Sequence, residues 1–333
     1  MYLKVAGKFL GLVLLVLLIV GCGETAEETI TVYSGRSRDL VQPVLEDIEA
    51  DPDINLEVRY GGSSELATTI VEEGAASPAD IFYSQDAGAL GALEAEGLLR
   101  ELPTELLEIV DERFRSPAGH WVGITGRARV LNYNKDRVDE AELPDSIWEL
   151  TEPQWAGEVG WAPQNASFQA FVTAMRQIEG EEKTRQWLED MQDNNVRTYS
   201  ANTPIVEALG RGEVKIGLVN NYYLYRFREE DPDFPVEDHY PRADAGSMIN
   251  VSGAGIVAAS EKQQLAREVL EKLLAAENQQ YFARETFEYP LRQGIEPPAG
   301  QKPLAEIETP QLDLSRIDDL QQTVELLRET GAL

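Results

Sequence analysis

The sequence predicts an α/β chain folded as two lobes, each a mostly parallel sheet flanked by helices, with the lobes joined by two extended hinge strands. Short apolar runs alternate with stretches of helical periodicity in both halves, which is the signature of βαβ units. Two longer extended runs, 121–133 and 247–258, bracket the second half and are placed to cross between lobes. About 310 residues follow an N-terminal leader, enough for two domains at roughly 150 residues each.

The leader comes first. Lys4 and Lys8 precede an uninterrupted apolar stretch, 9–20, that ends at Gly21-Cys22. The stretch is short of the ~20 apolar residues of a membrane span, and its basic flank and small residue before a cleavage point match an export signal. Cys22 is the single cysteine, so no internal disulfide can form, and its position suits lipid attachment. The expectation is a signal peptide over 1–21 and a tether over 22–28, with the mature chain exported and held at an envelope membrane by the lipid on Cys22.

Next come a strand at 29–33, a helix at 40–48, a strand at 56–60, a helix at 64–73 and a strand at 80–83. A second unit has a strand at 159–162, helices at 167–178 and 181–193, and a strand at 214–219. Leu265, Val269, Leu270, Leu273 and Leu274 share one face of a helix expected over 261–277. A segment rich in proline and glycine, 297–303, precedes a last helix at 317–328. The first lobe is therefore expected to comprise 29–128 and 254–300 and the second 129–253, with a helical tail, 301–333, packing on the second. Clefts between lobes are favoured sites for small ligands, and hinge closure is the motion such a layout allows.

Composition narrows the function. The chain carries 29 basic and 59 acidic residues, a formal charge of -30. Nucleic acid and anionic lipid headgroups are therefore poor partners, because affinity for them is built from lysine and arginine neutralising phosphate. Scattered surface carboxylates make a solvated coat, as in a salt-adapted protein, and select no particular cation. There is no G-x-S-x-G, no G-x-x-x-x-G-K and no H-E-x-x-H, and His120 and His239 are the only histidines. A site for a soft or borderline metal built from histidine and cysteine is therefore excluded.

Oxygen donors remain. Tyr222 and Tyr223 follow directly on the strand at 214–219 and open a helical run, so they emerge at the carboxyl end of a strand, where open α/β sheets bind ligands. A phenolate is a hard anionic donor, and only a strongly polarising cation displaces its proton near neutral pH. Ferric iron meets that demand, whereas calcium and magnesium select carboxylates and carbonyls. The first strand runs into Gly35-Arg36-Ser37-Arg38, a turn entering a helix, where an oxyanion would meet backbone N–H groups and the Arg36 fork. Arg127, Arg129, Leu131 and Tyr133 alternate along the first hinge run and so share a face, which places two arginines and a phenol toward the cleft.

These residues resemble the ferric-iron-binding periplasmic proteins of ABC importers, the bacterial transferrin family. The resemblance spans nearly all of the mature chain. It rests on Val32-Tyr33-Ser34-Gly35-Arg36, Pro78-Ala79-Asp80-Ile81-Phe82-Tyr83, residues 127–134, Asn220-Asn221-Tyr222-Tyr223, Asn250-Val251-Ser252-Gly253-Ala254-Gly255 and Glu288-Tyr289-Pro290-Leu291. It implies a type II periplasmic-binding fold and a monomeric binding protein, not an enzyme. Such a protein would capture Fe(III) with carbonate or bicarbonate between its lobes and deliver it to a permease driven by a separate ATPase. The resemblance makes Tyr222 and Tyr223 iron ligands and Tyr133 the third phenol of the branch that uses three. Arg36, Arg127, Arg129 and Ser37 fall on the anion side. Ser37 and Gln85 stand where other members place a histidine and a glutamate, a departure that favours the tyrosine version. Tyr33, Tyr83, Gln85, Asn165, Asn202 and Asn220 are expected to line the cleft, with Tyr33 a further ligand candidate and Asn165 and Asn202 helix caps. Two rivals are a binding protein of the same fold for an oxyanion or small organic solute, and an exported hydrolase using a carboxylate pair. Visible charge-transfer colour would separate the first rival, and turnover insensitive to the tyrosines the second.

Overall fold

A computed structural model describes residues 28–333 apart from Ala243 and Asp318; the leader and Cys22 lie outside the described residues. In chain order the elements of the first half are β1 (Thr29–Ser34), α1 (Arg38–Glu49), β2 (Asn55–Tyr60), α2 (Ser63–Glu73), β3 (Ile81–Ser84), α3 (Ala87–Ala95), α4 (Thr104–Leu107) and β4 (Val122–Asn134). The second half adds β5 (Val159–Trp161), α5 (Ala166–Glu179), α6 (Glu181–Asp193), β6 (Arg197–Thr198), α7 (Asn202–Gly210), β7 (Ile216–Asn220), α8 (Tyr222–Glu230) and β8 (Val236–His239). The chain finishes with β9 (Ile249–Ile256), α9 (Gln263–Leu273), α10 (Ala276–Tyr281), β10 (Tyr289–Pro290) and α11 (Leu320–Glu329).

The strands follow the order β2-β1-β3-β9-β4-β7-β5-β6, with β8 and β10 also paired to β4. In the first lobe β1 runs parallel to β2 and β3, and β9 lies antiparallel between β3 and β4. In the second, β7 runs parallel to β5 and β5 parallel to β6, while β4 meets β7 and β8 antiparallel. The fold is thus the two-lobed α/β architecture of the type II periplasmic-binding class, with mixed sheets in which four strand pairings are parallel and five, all made by β4 or β9, are antiparallel.

Strand β4 belongs to both lobes. It pairs with β9 as far as Ala128 opposite Ile249, then with β7 from Arg129 opposite Asn220. All of its 13 residues are buried, as expected of a strand covered on both sides. The whole of β9 registers with first-lobe strands, so the return crossing lies at Met248, whose carbonyl accepts from the Arg129 N–H at 2.8 Å.

Helix faces follow from spacing. Val41, Val44, Leu45 and Ile48 bury one side of α1, and Ala266, Val269, Leu270 and Leu273 one side of α9. The helix expected over 261–277 is two helices, because Ala275 is extended (φ -63°, ψ 150°) and α10 restarts beyond it. The tail touches both lobes rather than the second alone. A 3₁₀ turn, Leu314–Arg316, sits on α3, and α11 packs along α5 with Thr323 bonded to Thr173 at 2.8 Å.

Candidate functional site

A cavity of about 640 Å³ lies between the lobes, at the carboxyl ends of the strands. Helices α2, α3, α5 and α8 each begin at that edge, so their N-terminal N–H groups point a positive field into it. Close approach of the first-lobe loops depends on Gly35, where a Cβ would stand 2.1 Å from the Ser63 hydroxyl.

Tyr222 and Tyr223 line the cavity with their rings stacked, 4.3 Å between centroids and 28° between planes. Asn221 sets them there. Its backbone N–H donates to the Ala128 carbonyl at 3.0 Å, and its side-chain oxygen accepts from the Ala128 N–H at 2.8 Å. Its amide nitrogen donates to Gln301 at 2.7 Å. The tyrosine turn is therefore fastened to β4 at the residue where that strand changes lobes. Burial, and next the adjacent Tyr223, push the Tyr222 phenol well above its ordinary value, while Arg127 acts in the opposite sense. Without a cation the phenol stays protonated at neutral pH.

Arg129 faces the same cavity from β4. It is 2% exposed, its guanidinium lies over Phe168 and Phe171 at 5.4 and 4.9 Å, and one nitrogen donates to the Leu218 carbonyl at 2.7 Å. Its Nε and Nη1 have no hydrogen-bond partner among the described residues. Burial lowers its pKa to about 9, which leaves it a cation at neutral pH. A buried cation with two unmade hydrogen bonds is costly to keep, and an anion in the cavity would satisfy it. Asn165 caps α5 beside it by accepting from the Ser167 N–H at 2.9 Å, and Asn202 supports both residues from behind.

Arg36 is placed differently from the sequence expectation. It lies beneath the cavity with its fork already occupied, donating to Glu288 at 2.6 Å and to the Gln85 side chain at 2.5 Å. Glu288, 2% exposed, also accepts from Thr125 at 2.8 Å and lies 4.0 Å from Arg127. Arg127 lines the cavity and donates to the Gln85 carbonyl. Glu288 is thus shared between Arg36 and Arg127, and the cavity-lining guanidinium donors without a partner among the described residues are the Nε of Arg127 and the Nε and Nη1 of Arg129.

Gln85, Asn165 and Asn220 line the cavity, and Asn202 stands directly behind it. Tyr33 does not reach it: its hydroxyl donates to Glu73 at 3.0 Å and accepts from Arg59 at 3.1 Å. Tyr83 is fully buried outside the lining, where burial pushes its phenol up to about 12. Ser37 is exposed and outside the lining. Tyr133 is also remote. It pairs with Ile216 and Glu237, whereas the cavity end of β4 is Arg129 opposite Asn220. The two stand four positions apart along the strand, roughly 13 Å at the strand rise, so a shared face does not mean a shared site.

Sequence reading gave no role to Glu288, Asn221, Gln301, Ser63 or Asn250. Glu288 and Asn221 stood inside motifs already singled out, but the charge pairing and turn anchoring that involve them are long-range. Among the described residues no group of three or more histidine, cysteine or carboxylate side chains is placed to hold a metal. The phenols of Tyr222 and Tyr223 line the cavity as oxygen donors beside Arg127 and Arg129.

A family profile described as bacterial extracellular solute-binding protein matches residues 76–311. A relative from Serratia marcescens, an Fe(3+)-binding periplasmic protein, is 29% identical, covering 93% of this chain and 92% of its own. Iron-bound HitA from Pseudomonas aeruginosa superposes with a TM-score of 0.81 at 32% identity, covering 91% of this chain and 99% of that one. A Trichodesmium protein solved in complex with iron and citrate ligands gives 0.80 at 27%, again over 91% and 99%.

Proposed function

The chain belongs to the bacterial extracellular solute-binding proteins, and from that premise we propose that it captures ferric iron between its lobes and hands it to an ABC permease driven by a separate ATPase. The observation that carries the reading is the stacked pair Tyr222 and Tyr223, fastened by Asn221 at the lobe crossing and facing a cavity where, among the described residues, no group of three or more histidine, cysteine or carboxylate side chains is placed to hold a metal. Two phenolates suit a hard trivalent cation and leave coordination positions for an oxygen-donor anion such as carbonate. Arg129 and the N-terminus of α5 supply the place for that anion. The ferric-binding relatives support the choice of cargo.

In this reading the protein is a binding protein, not an enzyme, and acts as a monomer. Export and attachment of a lipid to Cys22 would hold it at the membrane beside its permease. The iron-free chain incubated with ferric citrate and bicarbonate should turn coloured through phenolate-to-iron charge transfer and retain one iron by elemental analysis. A colourless, iron-free product would instead favour a binding protein for an oxyanion or organic solute held by Arg129.

A further inference from the structure

We propose that Glu288 is a resident counter-anion that competes with the cavity's own anion for Arg127, and so sets how much positive charge the cleft offers to an incoming oxyanion. Arg127 stands between two acceptors, the buried carboxylate behind it and whatever anion enters in front. The inference rests on the anion place assigned above to Arg129 and adds the residue that tunes it.

The two oxygens of Glu288 are used unequally. Its Oε2 accepts from Arg36 at 2.6 Å and from Thr125 at 2.8 Å, and the Thr125 hydroxyl is itself bonded to Ser252 at 2.6 Å. Its Oε1 is turned to the Nε of Arg127 at 4.0 Å, within reach of that charge but too far for a hydrogen bond. The Arg127 Nε has no hydrogen-bond partner among the described residues, and its side chain lines the cavity. Arg36 lies outside the lining with its fork committed to Glu288 and Gln85. A buried carboxylate must be paired, and Arg36 already meets that need. Two guanidinium groups share one carboxylate, so Arg127 is restrained by Glu288 without being satisfied by it.

The backbone holds Glu288 there at a cost. Phe287, immediately before it, is a bulky residue in the left-handed region, φ 56° and ψ 18°, a strained conformation that persists only where the surroundings over-determine it. The Phe287 carbonyl accepts from Gln301 at 2.9 Å and from Asn221 at 3.4 Å, and its ring stacks on Tyr225 of α8 with 5.8 Å between centroids. Asn221 also fastens the tyrosine turn, so the contacts that aim the phenols turn Glu288 back toward the arginines as well. On the other side, Tyr289 pairs with Gly126 and Pro290 with Thr125. Glu288 is thereby fixed beside β4 just before that strand changes lobes. Arg127 and Arg129 stand two positions apart there, on one face, so an oxyanion bonded to the free donors of Arg129 meets Arg127 as a second cation already drawn toward Glu288.

Isothermal titration calorimetry of the iron-free chain with inorganic phosphate reads this competition. Glu288→Gln should bind phosphate about tenfold or more tighter than wild type, the effect of withdrawing one unit charge at several ångströms inside a protein. Arg36→Gln should bind it about tenfold weaker, because Glu288 then turns wholly to Arg127. A purely structural role would weaken binding in both. Should thermal melting show Glu288→Gln to be unfolded, the double variant Arg36→Gln/Glu288→Gln takes its place. It removes the buried pair as a unit, leaves no carboxylate unpaired, and should still bind phosphate several-fold tighter than wild type. Unchanged or weaker binding in folded Glu288→Gln, or in the folded double variant, would overturn the proposal. Phosphate binding to none of these proteins would overturn it too and remove the anion place at Arg129 with it, while the ferric colour of the wild type tests the iron reading separately.

Discussion

Asn221 fixes the turn that carries two neighbouring phenols, bonding to Ala128 on one side and Gln301 on the other, and so sets both tyrosines at the cavity. Burial holds the Tyr222 phenol above its ordinary value, so metal binding must displace a proton. Affinity for Fe(III) should then fall as pH falls, by up to about tenfold per unit for each phenol displaced, in chelator-competition titrations between pH 8 and 6. A pH-independent affinity would show that the phenols are not the ligands. The pair was legible in sequence because a strand followed directly by a helix fixes where its junction points. Tyr133 misled because alternation reports which side of a strand a residue takes, not how far along it the cleft extends. Arg36 misled because its partner Glu288 is 252 residues away.

At the scale of elements, α8 also packs on β8 and the tail. The Tyr225 hydroxyl has one proton but two acceptors, Asp238 at 3.0 Å and the Gly300 carbonyl at 2.9 Å. A protonated Asp238 resolves the conflict by donating to the phenol. Burial, partly offset by Tyr225, raises the acid to about 7. With the folded value above the unfolded value of about 3.9, the stability it contributes is full below that lower value and lost as pH rises through 7. Asp238→Asn should remove this loss, raising stability at pH 8 relative to wild type by about 1 kcal/mol or more while changing little near pH 4 in thermal unfolding. Equal effects at both pH values would contradict the assignment. The interface between α3 and the tail is similarly tight, since a Cβ on Gly91 would stand 1.8 Å from the Ser315 carbonyl. Gly91→Ala should cost roughly 1–3 kcal/mol by calorimetry, as overpacking does. Helix α3 gave no sequence period because its alanines and glycines are buried almost all round, and the break at Ala275 was hidden inside an unbroken apolar face.

For the whole molecule, alternating strands and helices made the two lobes and their crossing strands legible, since that pattern is local. The tail's attachment to both lobes was not, because contacts such as Trp121 with Ser315 span 194 residues and leave no periodic trace. The lobes and tail together bring Tyr222, Tyr223, Arg127, Arg129 and Gln85 around one cavity, and Tyr133 is not among them. The central claim is that Tyr222 and Tyr223 are the protein's metal ligands. It is tested by the visible band and iron content of ferric-loaded wild type beside Tyr222→Phe, Tyr223→Phe and Tyr133→Phe. Either cleft variant should lose the band and on the order of a hundredfold or more in iron affinity, since even outer-shell changes cost 10–100-fold, while Tyr133→Phe matches wild type. A band that survives in both cleft variants but vanishes in Tyr133→Phe would contradict the account.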